Sequence, residues 1–264
     1  MRPLIAVAGR CALLAGQAWL LAACGTPAAQ NPAASVASPQ GDSWASIKQL
    51  PDWSGTWTYS MTDTLALKVP EGVLLDEKNV PMQPDYAERR AKAVAAHAQN
   101  SLSTCLPAGI PGVMLHGTLD EFLFTPGRVT MLVEDGEVRR IYTDGRPHVK
   151  LSDLRESYMG DSIGHWEGQT LVVDTIGFPK GTLFQNAGGE VTINTHLVER
   201  FTKVDADHIR VDSTMTDPAI FTKPYVFTRL YKRAPAGLAI GEPVCQQNNR
   251  DTGTTMDLTP PPED

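Results

Sequence analysis

The sequence has few cysteines, few basic residues and no apolar run long enough for a comfortable membrane span. Four cysteines in 264 residues exclude a cysteine-dense disulfide scaffold, and none of their spacings matches a zinc site. Lys and Arg number 23 against 30 Asp and Glu, for a net charge of −7. Without a basic cluster the chain is a poor match to nucleic acid or anionic headgroups. It contains no glycine-rich phosphate loop, no G-x-S-x-G elbow and no H-E-x-x-H pair, so nucleotide, serine-hydrolase and zincin chemistry have no support. Internal repeats are absent, and no metal or cofactor is implied.

What is present begins with "MRPLIAVAGRCALLAGQAWLLAACGTPAAQ". Arg2 and Arg10 make a basic start, and residues 11–23 form an apolar stretch with small residues toward its end. That is the layout of an export signal. Leu21-Ala22-Ala23-Cys24 resembles the lipobox of bacterial lipoproteins. The resemblance implies cleavage before Cys24, lipidation of its thiol and, with Gly25 following, an outer-membrane position facing the periplasm. Acyl chains contribute about 0.8 kcal/mol per buried CH₂. Residues 1–23 are therefore expected to be a lipoprotein signal peptide and 24–42, rich in Ala, Pro and Ser, a disordered tether. A single domain is expected over 43–250 and a disordered tail over 251–264. Cys105 and Cys245 remain as an even pair in an oxidising compartment, which reads as a disulfide. Its loop of about 140 residues would add on the order of 4–5 kcal/mol in the chain-entropy account.

One segment reads as helix, "PDYAERRAKAVAAHAQNSL", over 84–100. Its Ala, Arg, Lys and Gln favour helix, Asp85 and Glu88 suit the first turn, and its weak apolar face predicts a surface position. The remainder is strand and turn. Pro126-Gly127 suits a type II turn, and Asp135-Gly136 between apolar runs is a strong hairpin signal. Asp144-Gly145 ends the following strand, and Glu167-Gly168 joins "SIGHW" to "TLVVDTI". About 8–10 strands joined by short turns predict an all-β antiparallel, lipocalin-like barrel, with a two-sheet β-sandwich as the alternative.

Alternation gives each strand two faces, and few of them are cleanly apolar. Leu197, Glu199 and Phe201 share a face opposite His196, Val198 and Arg200, while Val172, Asp174 and Ile176 oppose Leu171, Val173 and Thr175. A small barrel with a dry core would alternate more cleanly, so polar groups are expected to point into a hollow, partly wet centre. An unpaired buried carboxylate is very unfavourable. An interior Asp174 or Glu199 therefore needs partners, and Arg139, Arg140 and Arg200 are available. Such pairs either tie strands together or line a functional pocket.

The candidates for acid–base catalysis are Asp174, Glu199, His148 and Tyr142. Those for ligand contact are Trp57, Arg140, Arg146, His116, His165 and Trp166. His148 lies in a loop just past a strand end, and His165 stands at a hairpin tip beside Trp166, a ring suited to a barrel rim. His116 follows "CLPAGIPG", read as an irregular covering loop. No spacing among the histidines supports a metal site.

Gly55-x-Trp57 in "DWSGTW" resembles the G-x-W that opens lipocalins. There the Trp closes the base of a ligand-binding barrel and an Arg from a late strand packs over it, a role open here to Arg229 or Arg233. Lipocalins place their helix after the barrel, whereas 84–100 follows the first strand. Over most of residues 51–250, "LPDWSGTW", "EFLFTPGRVTML", "RRIYTDGR", "SIGHWEG" with "TLVVDT", "HLVERF", "DPAIFTKP" and "CQQNNR" together resemble a widespread, uncharacterised family of exported bacterial proteins. That resemblance implies export, a disulfide and a β-rich domain, and it assigns no catalytic residue. The expected function is a cell-envelope lipoprotein that binds a small apolar or aromatic molecule in a barrel cavity. The alternative is a cofactor-independent lyase, isomerase or decarboxylase using acid–base residues of the same cavity. A third class is a protein tethered by Cys24 that holds another envelope protein.

Overall fold

Short turns and two-residue alternation dictate most of the architecture. The structure, a computed structural model, describes residues 40–67, 80–96, 106–115, 117–155, 157–180, 182–185 and 189–242. Its strands are β1 (Thr56–Tyr59), β2 (Leu119–Thr125), β3 (Arg128–Val133), β4 (Val138–Tyr142), β5 (Asp161–Glu167) and β6 (Thr170–Ile176), followed by β7 (Leu183–Gln185), β8 (Gly189–Glu190), β9 (His196–Lys203), β10 (His208–Thr216) and β11 (Tyr225–Arg233). Nine of them close into a barrel in the order β1-β11-β10-β9-β6-β5-β4-β3-β2, while β7 and β8 form a separate ribbon. The barrel expected from the sequence is therefore present, and its strand count lies inside the expected range. One pairing departs from the antiparallel expectation: β4 and β5 run parallel, Ile141 opposite Ser162 and Tyr142 opposite Ile163. Parallel neighbours need a crossover of a dozen or more residues, and residues 143–160 supply it.

The hairpins fall where the turn residues place them. Gly127, Gly136 and Gly168 all have positive φ, joining β2 to β3, β3 to β4 and β5 to β6. Gly55 has φ +87, and a Cβ there would come within 2.9 Å of an Arg233 guanidinium nitrogen. That close approach lets Arg233 lie over the Trp57 ring at 4.3 Å while its Nη1 donates to the Ser54 carbonyl. Of the two arginines open to this role, Arg233 fills it.

Helix α3 spans Pro84–Ala95, after two short helices, α1 (Trp44–Ile47) and α2 (Met61–Leu65). It starts on Pro84, buries no residue and carries exposed ion pairs from Asp85 to Arg89 and from Glu88 to Lys92, pairs that contribute a few tenths of a kcal/mol each. It ends before residue 100, and 97–100 lie outside the described residues. Also outside them are Cys24, Cys105, Cys245 and His116, and with them the expected lipid anchor and disulfide. Among the described residues no helix is long and apolar enough to cross a membrane.

The barrel interior is occupied by side chains. Trp53, Trp166, Phe122, Phe124 and Phe201 form an aromatic cluster with centroids 5.2–6.2 Å apart. Tyr225 stacks between Phe221 and Phe227 in a second group. The 3-10 turn Gly112–Leu115, which begins at the last residue of the stretch read as a covering loop, inserts its buried Met114 among inward-facing residues of β4 and β11. The polar interior expected from the mixed strand faces exists. Among the described residues, Met114 and the paired charges described below stand within the barrel.

Candidate functional site

Register decides which strand residues can meet. In the β6–β9 pair Val173 lies opposite Glu199 and Asp174 opposite Val198. Directly opposed residues share a face, so Glu199 points inward with Val173, and Asp174 points outward with Val198. Acid–base candidates expected in one cavity thus stand on two sides of the wall.

Inside, Glu199 is fully buried between two fully buried arginines. Arg139 Nη2 donates to its Oε2 at 2.5 Å, and Arg229 Nη2 donates to its Oε1. Arg139 also donates to Ser162 Oγ at 3.2 Å and Thr175 Oγ1 at 2.9 Å, and both arginines reach the sulfur of Met114. Two cations on one carboxylate, with the Ser162 and Thr175 hydroxyls on Arg139, help a buried ion pair offset its desolvation. Arg229 Nε and Nη1 find no acceptor among the described residues. Nearby Asp120 is 1% exposed with an unpaired Oδ1. Burial pushes its carboxyl well above the usual range, against the opposing pull of Arg229. Burial likewise pushes the Tyr231 phenol up. Both carboxylate oxygens of Glu199 are taken up by the two arginines.

Outside, four side chains meet. His148, from the crossover loop, places Nδ1 2.8 Å from Asp161 Oδ2 and Nε2 3.1 Å from Asp174 Oδ1. His196, at the start of β9, places Nε2 2.6 Å from the same Asp174 oxygen. The backbone N–H of Val149 also donates to Asp161. The cluster borders a cleft of about 280 Å³, lined by Ile163, Val172, Asp174, Val198, His165 and Arg146. Arg146 lies 3.9 Å over the Tyr142 ring, and Asp144 takes hydrogen bonds from its Nε and Nη2. Arg146 holds the Asp144 carboxyl below the usual range.

Of the four catalytic candidates, His148 and Asp174 are in contact, Tyr142 stands beside the same cleft through Arg146, and Glu199 is separated from them by its inward facing. Of the ligand-contact candidates, Arg146 and His165 line the outer cleft, and His165 is exposed and bonded to Glu167 at 3.1 Å. Arg140 is exposed on the outer face of β4. Trp57 is fully buried, donating from Nε1 to the Trp53 carbonyl at 3.0 Å. Trp166 closes the barrel end, packed on Trp53 and Phe124. Asp161 and His196 were not singled out in the sequence. Asp161 opens β5 two residues before Ile163, and His196 shares a face with Val198, so parity marked both as partners of Asp174 once the register was known. No group of three or more metal-ligating side chains is arranged to hold an ion among the described residues.

A third feature lies at the barrel rim. Below α1 a cleft of about 330 Å³ is lined by Ile47, Leu50, Pro51, Trp53, Phe122 and Phe124. Trp53 meets both phenylalanines edge-on, at 5.2 and 5.4 Å. One wall is thus aromatic, and Lys48, Asp52 and Ser54 add polar groups.

No family model matches the sequence, and no curated protein matches it. Among solved structures, the crystal structure of wild-type fluorescent protein UnaG is similar at a TM-score of 0.32 and 16% identity, covering 68% of this chain and 96% of that one. So loose a likeness assigns nothing to individual side chains.

Proposed function

We propose that this protein is a β-barrel that binds a small apolar or aromatic molecule, and that the ligand lies in the rim cleft below α1. The aromatic lining of that cleft carries the reading. Its volume of about 330 Å³ falls within the roughly 300–1,000 Å³ of small-molecule sites, which are mostly apolar with few polar groups. Trp53, Phe122 and Phe124 offer edges and faces to a flat ring, and Lys48 and Asp52 beside them leave room for one polar substituent. Within the barrel, Met114 and the paired charges link β4, β9 and β11.

Titration with the uncharged aromatic dye N-phenyl-1-naphthylamine tests this. A saturable fluorescence rise is expected, with affinity at least tenfold weaker in Phe124→Ala, a loss of about 1.4 kcal/mol or more. A signal that never saturates, or one indifferent to Phe124→Ala, would remove the rim cleft from consideration.

The same reading places the barrel on the cell envelope through a lipidated Cys24, supported by the lipobox-like Leu21-Ala22-Ala23-Cys24. Radiolabelled palmitate is expected to enter the full-length protein in a Gram-negative host and to be lost in Cys24→Ser. Equal labelling of both would refute the anchor.

A further inference from the structure

The outer wall carries chemistry that the rim cleft does not use. An ionised carboxylate only accepts hydrogen bonds. The 2.6 Å contact from His196 Nε2 to Asp174 therefore fixes the ring proton on Nε2 and leaves the lone pair on Nδ1. Nδ1 makes no hydrogen bond among the described residues, and the His196 side chain is 42% exposed. A carboxylate holding one imidazole nitrogen while the other stays free is how proteins set a histidine as a base and stabilise the imidazolium it becomes. Asp174 is itself steadied by His148, whose two ring nitrogens face Asp161 and Asp174.

The adjoining cleft selects the substrate class. Its Ile163, Val172 and Val198 walls favour an apolar body. Asp161 and Asp174 disfavour a substrate that is already anionic. Arg146 lines the same cleft with Nε and Nη2 engaged by Asp144, and its Nη1 has no partner among the described residues. The cleft thus meets an uncharged molecule and offers a cation to negative charge that develops during reaction, the condition for electrostatic stabilisation of an oxyanion.

We propose that this is a proton-transfer site acting on uncharged carbonyl compounds, with His196 as general base. Nδ1 removes a hydrogen from the carbon next to the carbonyl. The C–H electron pair forms the C=C bond of the enolate as the carbonyl π pair moves onto oxygen, where Arg146 Nη1 faces it. The imidazolium then returns the proton to carbon. Substrate and product differ only in the position or configuration of a hydrogen, so no co-reactant is required. Asp174, His148 and Asp161 are positioning residues.

The test uses phenylacetone in D₂O, with loss of its CH₂ protons followed by ¹H NMR in the presence of the full-length protein. Saturable exchange about 10²-fold above buffer is expected, the scale of general base catalysis. His196→Ala should return it to the buffer rate, Asp174→Asn should lower it at least tenfold, and His208→Ala, at the opposite end of the neighbouring β10, should leave it unchanged. A second readout is independent of the probe. The ¹⁵N shifts of His196 should report the Nε2–H tautomer in the wild type and a mixture in Asp174→Asn, with the melting temperatures of the two proteins nearly equal. Exchange at the buffer rate in the folded wild type, exchange that survives His196→Ala, or an Nδ1–H tautomer would each overturn the proposal. Tight uptake of one equivalent of Zn²⁺ that requires both His148 and His196 would replace it with a metal site.

Discussion

The inner and outer polar clusters use similar residues to opposite ends. Within the barrel, Arg139, Glu199 and Arg229 are shut away from water, and the carboxylate is saturated by its two guanidinium neighbours. On the outer face, Asp161, His148, Asp174 and His196 form a comparable chain, but their exposures run from 13% to 42% and one imidazole nitrogen stays open. Burial explains the difference. In low dielectric an unpaired charge is strongly unfavourable, so the inner carboxylate must be paired. Water relieves that demand at the surface, and a group there can keep a free lone pair. The two clusters are one peptide thickness apart, Glu199 opposite Val173 and Asp174 opposite Val198, and the step from one strand residue to the next separates a structural acid from a chemically available one.

Substitution can break this contrast at its strongest point first. Glu199→Ala would strand two guanidiniums in the core and is expected to destabilise the fold by about 3–5 kcal/mol, whereas Asp174→Asn on the wet face should change stability by no more than about 1 kcal/mol. Chemical denaturation of both variants checks this, and equal losses would show that the outer chain is structural too.

A smaller effect separates the interior from its own surroundings. Burial raises the Asp120 carboxyl well above the usual range, so the folded chain releases this proton at higher pH than the unfolded chain, which loses it at about pH 4. Stability from this group is present below that value and falls as pH rises toward the raised native value. Asp120→Asn should flatten the decline. Parallel slopes of stability against pH in the two proteins would refute it.

Much of the fold was legible because its signals are local. Asp135-Gly136 and Glu167-Gly168 mark their hairpins without reference to the rest of the chain, and Pro84 with Asp85 and Glu88 marks the helix start. The aromatic contact between Trp57 and Arg233 was within reach because a short motif limited the choice to two arginines. Facing was another matter. The sequences around Asp174 and Glu199 fix which residues share a face but not which face is inside, since that depends on which partner strand lies alongside and in what register. The role of Met114 was illegible for a different reason. Nothing local distinguishes a loop that covers a barrel from one that enters it. Asp161 and His196 belong with Asp174 only after three strands and a crossover are assembled.

The parallel pairing of β4 with β5 has a consequence for that outer chain. A ring whose members all point opposite to their neighbours must have an even count. This ring has nine, and the odd member forces one adjacent pair to head the same way. Between those two strands no hairpin can serve: the chain has to leave the wall and come back, and residue 148 belongs to the excursion. Chemistry on the outside of this barrel is thus tied to a matter of parity, and a related ring of eight or ten strands could close without carrying any histidine across its flank.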